Sequence, residues 1–316
     1  MLVDFFNKPL TVDPNKLDRD LLRRGIAKKL IGITLEQLVN LLYSDVDAIV
    51  DFGRLCRGDK TCQKLSLLFN PHRLDTANKI GESILSGFQL ERFADNLARM
   101  LVYRDDSGSA SDRIYHAIST GISNFIYVSD FLPYVARDLY LQFGAKRILD
   151  PCAGWGGRMI GAAAIGAFYH GFEPSTRTHV GLLKLGAFLK SFENGFDFIV
   201  ENQPFEDAVL TKTYDIALTS PPYYDTEQYA PNESTQAAVR YATFEEFCAG
   251  FYLPMVRTAV SHSKNGMVLN IGSRKYPLRA VIEKEFGSSC KLMNSRLTNS
   301  NGLGKSGEGE VFLHIT

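Results

Sequence analysis

The chain has 316 residues, 45% apolar and 22% charged, with 35 Lys and Arg set against 35 Asp and Glu. That length suits a large α/β domain with an appendage. The apolar share excludes wholesale disorder, and a net charge of zero excludes strong, nonspecific gripping of polyanions by the chain as a whole.

From residue 1 to about 112 the pattern is helical. The opening "MLVDFFNKPLTVDPNK" has early acids and a proline and lacks a secretory apolar region, and no run is long enough to span a membrane, so a cytoplasmic protein without membrane contact is expected. "LDRDLLRRGIAKKLIG" has apolar residues at helical spacing. "TLEQLVNLLYSDVDAIVDFGRLC" opens with Thr34 and Gln37 at capping-box spacing, and "DTANKIGESILSGFQLERFADNLARMLVYRD" continues in the same style. Arg23, Arg24, Lys28 and Lys29 form a basic stretch beside Asp18 and Asp20, which reads as a solvated face ahead of a phosphate contact. "RGD" at 57 to 59 is a chance tripeptide. "RDDSGSASD", Arg104 to Asp112, is small, polar and Gly/Ser-rich, and marks a linker. The chain is therefore divided into a helical segment, 1–112, with a possible role in target recognition, and a second domain, 113–316.

Beyond the linker, strands alternate with helices. "AKRILD", "FYHGFE", "FDFIVEN", "YDIALTS" and "NGMVLNIG" read as strands. "CAGWGGRMIGAAAIGAF", "STRTHVGLLKLGAFLKSF" and "TFEEFCAGFYLPMVRTAVSHS" read as helices, the last with Thr243 and Glu246 at capping-box spacing. The tail from Cys290 reads as two final strands around an Asn/Ser/Gly loop. The expected fold class is α/β: a doubly wound, mostly parallel, seven-stranded Rossmann-like sheet with a helical N-terminal domain. The cysteines (Cys56, Cys62, Cys152, Cys248 and Cys290) have no CxxC pair and are expected to be reduced thiols. The histidines do not cluster, so no metal is predicted.

Two strand ends carry chemistry. "RILDPCAGWGGR" ends a strand at Asp150 and turns on Gly154, Gly156 and Gly157 into a helix, and the next strand ends in Glu173, an acid placed to bind ribose hydroxyls. Met159 stands where GxGxxG needs its third glycine, and no GxxxxGK[ST] occurs. An acid leading into such a turn suits a ligand with a cationic amino group and no pyrophosphate, as S-adenosylmethionine is. Asp207 or Glu206, after the third strand, can accept from an adenine amine. The second strand end is "TSPPY". Ser220 and the Pro221 carbonyl can accept both hydrogens of a planar amine. Pro221 and Pro222 make the turn rigid, and Tyr223 offers a ring to stack on a flipped base. Trp155 reads equally as a cofactor contact or as core. Tyr224 and Tyr229 read as pocket gates or surface side chains.

"DPCAGWGG" together with "TSPPY" resembles the S-adenosylmethionine-dependent amino-methyltransferases of DNA, the N4-cytosine and N6-adenine group, over roughly residues 120 to 316. The resemblance implies S-adenosylmethionine as cofactor, held by Asp150, Cys152, Ala153, Gly154, Gly156, Glu173, Pro174 and Asp207, with Phe131 and Pro133 from the upstream segment at its methionine end. It implies catalysis by Ser220, Pro221, Pro222 and Tyr223 on a base flipped out of DNA. SPPY is commonest among N4-cytosine enzymes. No long insert is available for a separate recognition domain. Recognition would then fall to the N-terminal helices, the loop "DTEQYAPNESTQAAVRY" or the loop from Asn299 to Gly309. The same pocket chemistry also suits RNA bases, free nucleotides or a protein amide. A non-catalytic, cofactor-binding module would have no need of an intact SPPY turn.

Overall fold

Thr34 and Gln37 cap the helix Leu35–Leu42 reciprocally: the Gln37 amide donates to Thr34 Oγ1 at 3.2 Å, and the Thr34 amide to Gln37 Oε1 at 3.0 Å. The computed structural model describes residues 19–76, 82–103, 109–119, 128, 130–225, 229, 232–272, 275–293 and 311–316. The N-terminal stretch 1–18, most of the linker and the loop from Asn299 to Gly309 lie outside these residues.

Two compact units are present, Met1–Val50 with Asn70–Ser129, and Asp51–Phe69 with Asp130–Thr316. They do not coincide with a cut at residue 112. The first unit is helical throughout its described residues: Arg19–Leu30, Leu35–Leu42, the first half of Asp45–Cys56, Ile84–Gly87, Glu91–Tyr103 and Ala110–Ser119, with a 3₁₀ turn at Pro71–Asp75. The run beginning at Thr34 is broken into two helices. Tyr43 is extended, and Ser44 starts a new cap, its hydroxyl accepting from the Asp47 amide at 3.2 Å. Arg23 of the basic stretch is held by Asp20 and Asp95.

Residues 51–69 belong to the second unit because Arg137, a buried side chain, donates through Nη1 to the carbonyls of Leu55 at 2.7 Å and Asp59 at 2.9 Å. Phe52 and Phe69 also pack on Phe192 and Phe188 near the end of the helix Thr176–Lys190. The unit is built on β1 (Arg147–Asp150), β2 (Phe168–Phe172), β3 (Asp197–Glu201), β4 (Ile216–Thr219), β5 (Met267–Ile271), β6 (Cys290–Leu292) and β7 (Val311–Ile315). These make one seven-stranded sheet in the order β3-β2-β1-β4-β5-β7-β6. The pairs among β1 to β5 are parallel, and β7 runs antiparallel to both β5 and β6. The sheet is thus mixed, with a reversed strand inserted near one edge. Every residue of β4 and β5 is buried, Thr219 and Asn270 among them, which is why both read as mainly apolar stretches without alternation.

Helices join the parallel strands. Pro133–Gln142 packs against Gly157–Ala164 so closely that a Cβ on Gly161 would come within 2.6 Å of Ala136 Cβ. The expected single helix from Thr243 is interrupted. Pro254 has no amide to donate, and the chain widens into a π turn, Cys248–Tyr252, in which the Leu253 amide reaches back to the Cys248 carbonyl. Its cap is half a box: Thr243 Oγ1 accepts from the Glu246 amide, while the Glu246 carboxylate takes the Ala242 amide. A helix at Leu278–Phe286, behind Pro277, has no counterpart in the sequence reading.

Candidate active site

The strand order turns between β1 and β4, so their carboxyl ends diverge and leave a crevice where α/β sheets bind ligands. Asp150 ends β1, and Ser220 follows β4. In the loop after β1, Gly154 (φ 56°) and Gly156 (φ 100°) adopt left-handed backbone. A Cβ on Gly156 would strike Leu185 at 2.5 Å, and one on Gly157 would meet the Phe131 carbonyl oxygen at 1.9 Å. Those two positions are bare so that the loop can pack. Gly154 is different: a Cβ there would meet nothing nearer than 3.9 Å.

Asp150 is 0% exposed. Its Oδ2 accepts from Arg158 Nε at 2.7 Å and from the Tyr169 hydroxyl at 2.6 Å, and its Oδ1 accepts from Thr219 Oγ1 at 2.8 Å and from the Cys152 amide at 3.2 Å. Arg158 also donates to the Cys152 carbonyl and lies 5.2 Å from the Phe131 ring centre. Burial opposes the charge on Arg158, but the Asp150 carboxylate outweighs it and keeps the guanidinium protonated. The acid expected to meet a ligand's amino group therefore spends its oxygens on protein donors. Burial pushes the Cys152 thiol well up, so it is no nucleophile.

Glu173 follows β2 with its carboxyl almost wholly buried. Oε2 accepts from the Gly154 amide at 3.1 Å, and Oε1 from the Ser175 amide at 2.9 Å. Burial outweighs these bonds and pushes its pKa to about 8. Pro174, next in line, accepts through its carbonyl from Thr235 Oγ1 at 3.3 Å and from Asn202 Nδ2 at 3.2 Å. Ala153 donates its amide to the Phe172 carbonyl. Asp207 does not face an open pocket with a free carboxylate: Arg240 binds it in a bidentate pair, which holds its pKa below the usual range. Glu206 accepts from the Tyr241 hydroxyl at 2.9 Å, while its Oε2 is buried without a partner among the described residues.

These contacts reveal a feature that the sequence reading missed. Residues 232–241 cross the ends of β2 and β3. Glu233 accepts from Ser175 Oγ and the Thr176 amide, each at 3.3 Å, Thr235 reaches Pro174, and Arg240 and Tyr241 reach Glu206 and Asp207. Gln236, inside this segment, buries its Nε2 with no partner among the described residues. The nearest sequence signal was Glu233 with Arg240 in a stretch read as a loop with a possible part in target recognition.

At the second strand end, Pro221 and Pro222 stop β4 as expected. Ser220 is half-buried, and its hydroxyl has no partner among the described residues. Tyr223 is half-buried against the core beneath β4 and β5. Tyr224 is no gate. Its hydroxyl donates to the Ala242 carbonyl at 2.7 Å, and its ring sits among Phe244, Phe247 and Tyr276. Trp155 is buried and meets Tyr229 edge-on at 5.8 Å. Phe131 packs edge-on to Phe312 at 6.1 Å, and its amide, like that of Gly157, donates to Asp130 Oδ1. Pro133 is the buried first residue of its helix. Among the described residues no cluster of His, Cys, Asp or Glu could hold a metal ion, and no helix is long and apolar enough to cross a membrane.

No family model matches the chain, and no curated protein matches it. Solved structures do overlap with it. TrmN from Thermus thermophilus overlaps at 16% identity over 59% of this chain and 49% of that one, with a TM-score of 0.38. A magnesium protoporphyrin IX methyltransferase from Synechocystis, solved with bound SAM, does so at 14% identity over 69% of this chain and 88% of its own, TM-score 0.39. A 16S rRNA methyltransferase from Thermus thermophilus, in complex with AdoMet and guanosine, does so at 18% identity over 63% and 45%, TM-score 0.39. The chain thus spans about half the length of the first and third of these. Overlap at such scores assigns neither cofactor nor substrate to the chain.

Proposed function

We propose that the chain is an S-adenosylmethionine-dependent methyltransferase acting on the exocyclic amine of a DNA base, N4 of cytosine first and N6 of adenine next. One observation carries the reading: a rigid Ser220–Pro221 turn, its hydroxyl without a partner among the described residues, stands beside a Gly-rich loop at the point where the strand order turns.

The residues fit the cofactor at one end. Glu173 keeps acceptor capacity beyond its two backbone bonds, enough for a ribose diol, and Gly154 leaves open space beside it. Gly156 gives the loop its turn, and Cys152 and Ala153 belong to the same loop. Phe131 and Pro133 would close the methionine end. Asp207 can take an adenine amine only after Arg240 lets go. When bound, the cofactor supplies an electrophilic sulfonium methyl group.

The chain's own part is to present the amine. Its nitrogen lone pair is delocalised into the base ring and is a poor nucleophile. Ser220 and the Pro221 carbonyl accept the two N–H hydrogens and draw the nitrogen toward tetrahedral geometry. The N–C bond forms as the C–S bond breaks, and one amine proton leaves past Ser220 to solvent. Pro222 fixes the turn, and Tyr223 stacks on the base.

Mass spectrometry of nucleosides from cells expressing the protein tests the substrate. N4-methylcytosine in DNA, absent with Ser220→Ala, is expected, and N6-methyladenine is the second outcome. A methyl mark confined to RNA, free nucleotides or protein amides would move the substrate. No transfer of labelled methyl to any of these pools would overturn the reading.

A further inference from the structure

Asp150 has little left to offer a ligand. A carboxylate has about four acceptor sites, and here Arg158, Tyr169, Thr219 and Cys152 each donate to it. Neither partner of the ion pair is open to solvent: Asp150 is 0% and the Arg158 side chain 5% exposed. A cationic ligand group would have to displace a fixed guanidinium of the same charge from a dry site.

Two of the four donors belong to the reaction machinery. Cys152 lies on the Gly-rich loop, and Thr219 directly precedes Ser220. The Cys152 amide also donates to Thr219 Oγ1 at 3.1 Å, so Asp150, Cys152 and Thr219 close a ring of hydrogen bonds. The backbone register of β1 with β4 runs only from Ile148↔Ile216 to Leu149↔Ala217. Beyond it, this ring spans the divergence of the two strand ends. In a water-free interior such a ring holds geometry that solvent does not compete away.

We propose that Asp150 is a positioning residue: it ties the Gly-rich loop to the Ser220 turn through Cys152 and Thr219, with Arg158 as its permanent counter-ion, and does not contact the ammonium group of the cofactor. The assignment deepens the methyl-transfer reading and rests on it. It places the cofactor's ammonium against another group and makes the spacing between methyl donor and amine acceptor depend on a carboxylate that touches neither.

The test compares S-adenosylmethionine with 5′-methylthioadenosine, which keeps the nucleoside and lacks the amino-acid end. Dissociation constants for both are measured on the wild type, Asp150→Asn, Thr219→Val and the pair Asp150→Asn with Arg158→Met. Asp150→Asn is expected to weaken both ligands by the same factor, to within about twofold, while kcat falls by roughly tenfold or more. Thr219→Val follows the same pattern and decides the question if Asp150→Asn does not fold. The double variant carries no uncompensated buried charge and regains thermal stability, but its kcat stays low because the tie to Thr219 is weakened in both. A selective loss of S-adenosylmethionine binding of about tenfold in Asp150→Asn would overturn the assignment, because that is the mark of a direct contact. Recovery of kcat together with stability in the double variant would also overturn it, by reducing Asp150 to a structural role. A wild type that binds neither ligand overturns the cofactor reading itself, and this assignment with it.

Discussion

Arg240 grips Asp207 with both arms of its guanidinium, Nη1 to Oδ2 and Nη2 to Oδ1, each at 2.7 Å. Glu233 holds the other end of the same segment at Ser175 and Thr176. Residues 232–241 are therefore a strap across the ends of β2 and β3, fastened by polar contacts at both ends.

Releasing one end should speed ligand entry. Asp207 and Arg240 are 45% and 34% exposed, so their pair contributes about 0.2–1 kcal/mol. Arg240→Ala is expected to raise the association rate of S-adenosylmethionine up to about fivefold, and the wild type should approach the variant at about 1 M salt. Trp155, the single tryptophan, sits in the Gly-rich loop and provides a stopped-flow fluorescence signal. Equal rates in both proteins at every salt concentration would show that the strap does not limit entry.

Glu173 should make binding pH-dependent. Burial raises its pKa from the ordinary 4.5 to about 8 in the fold. The free protein therefore binds an extra proton between these pH values, and its stability falls as pH rises from about 4.5 through about 8. Ligand hydroxyls donate to the ionised form, so affinity should rise with pH up to about 8 and proton release should accompany binding near neutrality. Calorimetry in buffers of different ionisation enthalpy reads the proton, and Glu173→Gln should abolish it.

Ser220→Ala removes one acceptor from the amine and leaves the cofactor loop intact. Methyl transfer should drop on the order of a hundredfold, with the dissociation constant of S-adenosylmethionine unchanged. Wild-type turnover in this variant would remove Ser220 from the mechanism.

Gly154 and Gly157 should separate binding from stability. Gly154→Ala adds a methyl into open space at φ 56°, a backbone cost of about 1–2 kcal/mol, and narrows the side assigned to the ligand. Gly157→Ala drives a methyl to 1.9 Å from the Phe131 carbonyl oxygen and should cost about 3 kcal/mol or more. Urea unfolding should therefore rank Gly157→Ala as the less stable, and ligand titration should show a loss with Gly154→Ala that its stability does not explain.

The parts of the site that lie within one strand end were legible in the sequence. The glycines after Asp150, Glu173 after β2 and the double proline after β4 are local signals, and the fold places them at one end of the sheet. The partners that decide what these residues do were not legible. Tyr169 stands on a neighbouring strand, and Thr219 on β4, 69 positions from Asp150. Their convergence depends on strand order, which no window of sequence contains. For the same reason Asp207 read as open: Arg240 is 33 positions away. In the fold, a π turn ahead of Pro254 interrupts the helix expected from Thr243, and Ser44 with Asp47 splits a run whose apolar spacing looked continuous.

The insertion of β7 between β5 and β6 orders the assembly of the molecule in time. Until residues 311–315 arrive, the β5 edge is an open template and β6 has no strand to pair with. Phe312, on that late strand, is also what the Phe131 ring leans on. The upstream wall of the crevice is therefore completed only after residue 312 has been synthesised, 181 positions after Phe131. A growing chain would hold its Ser-Pro-Pro turn and its Gly-rich loop long before it held a finished crevice.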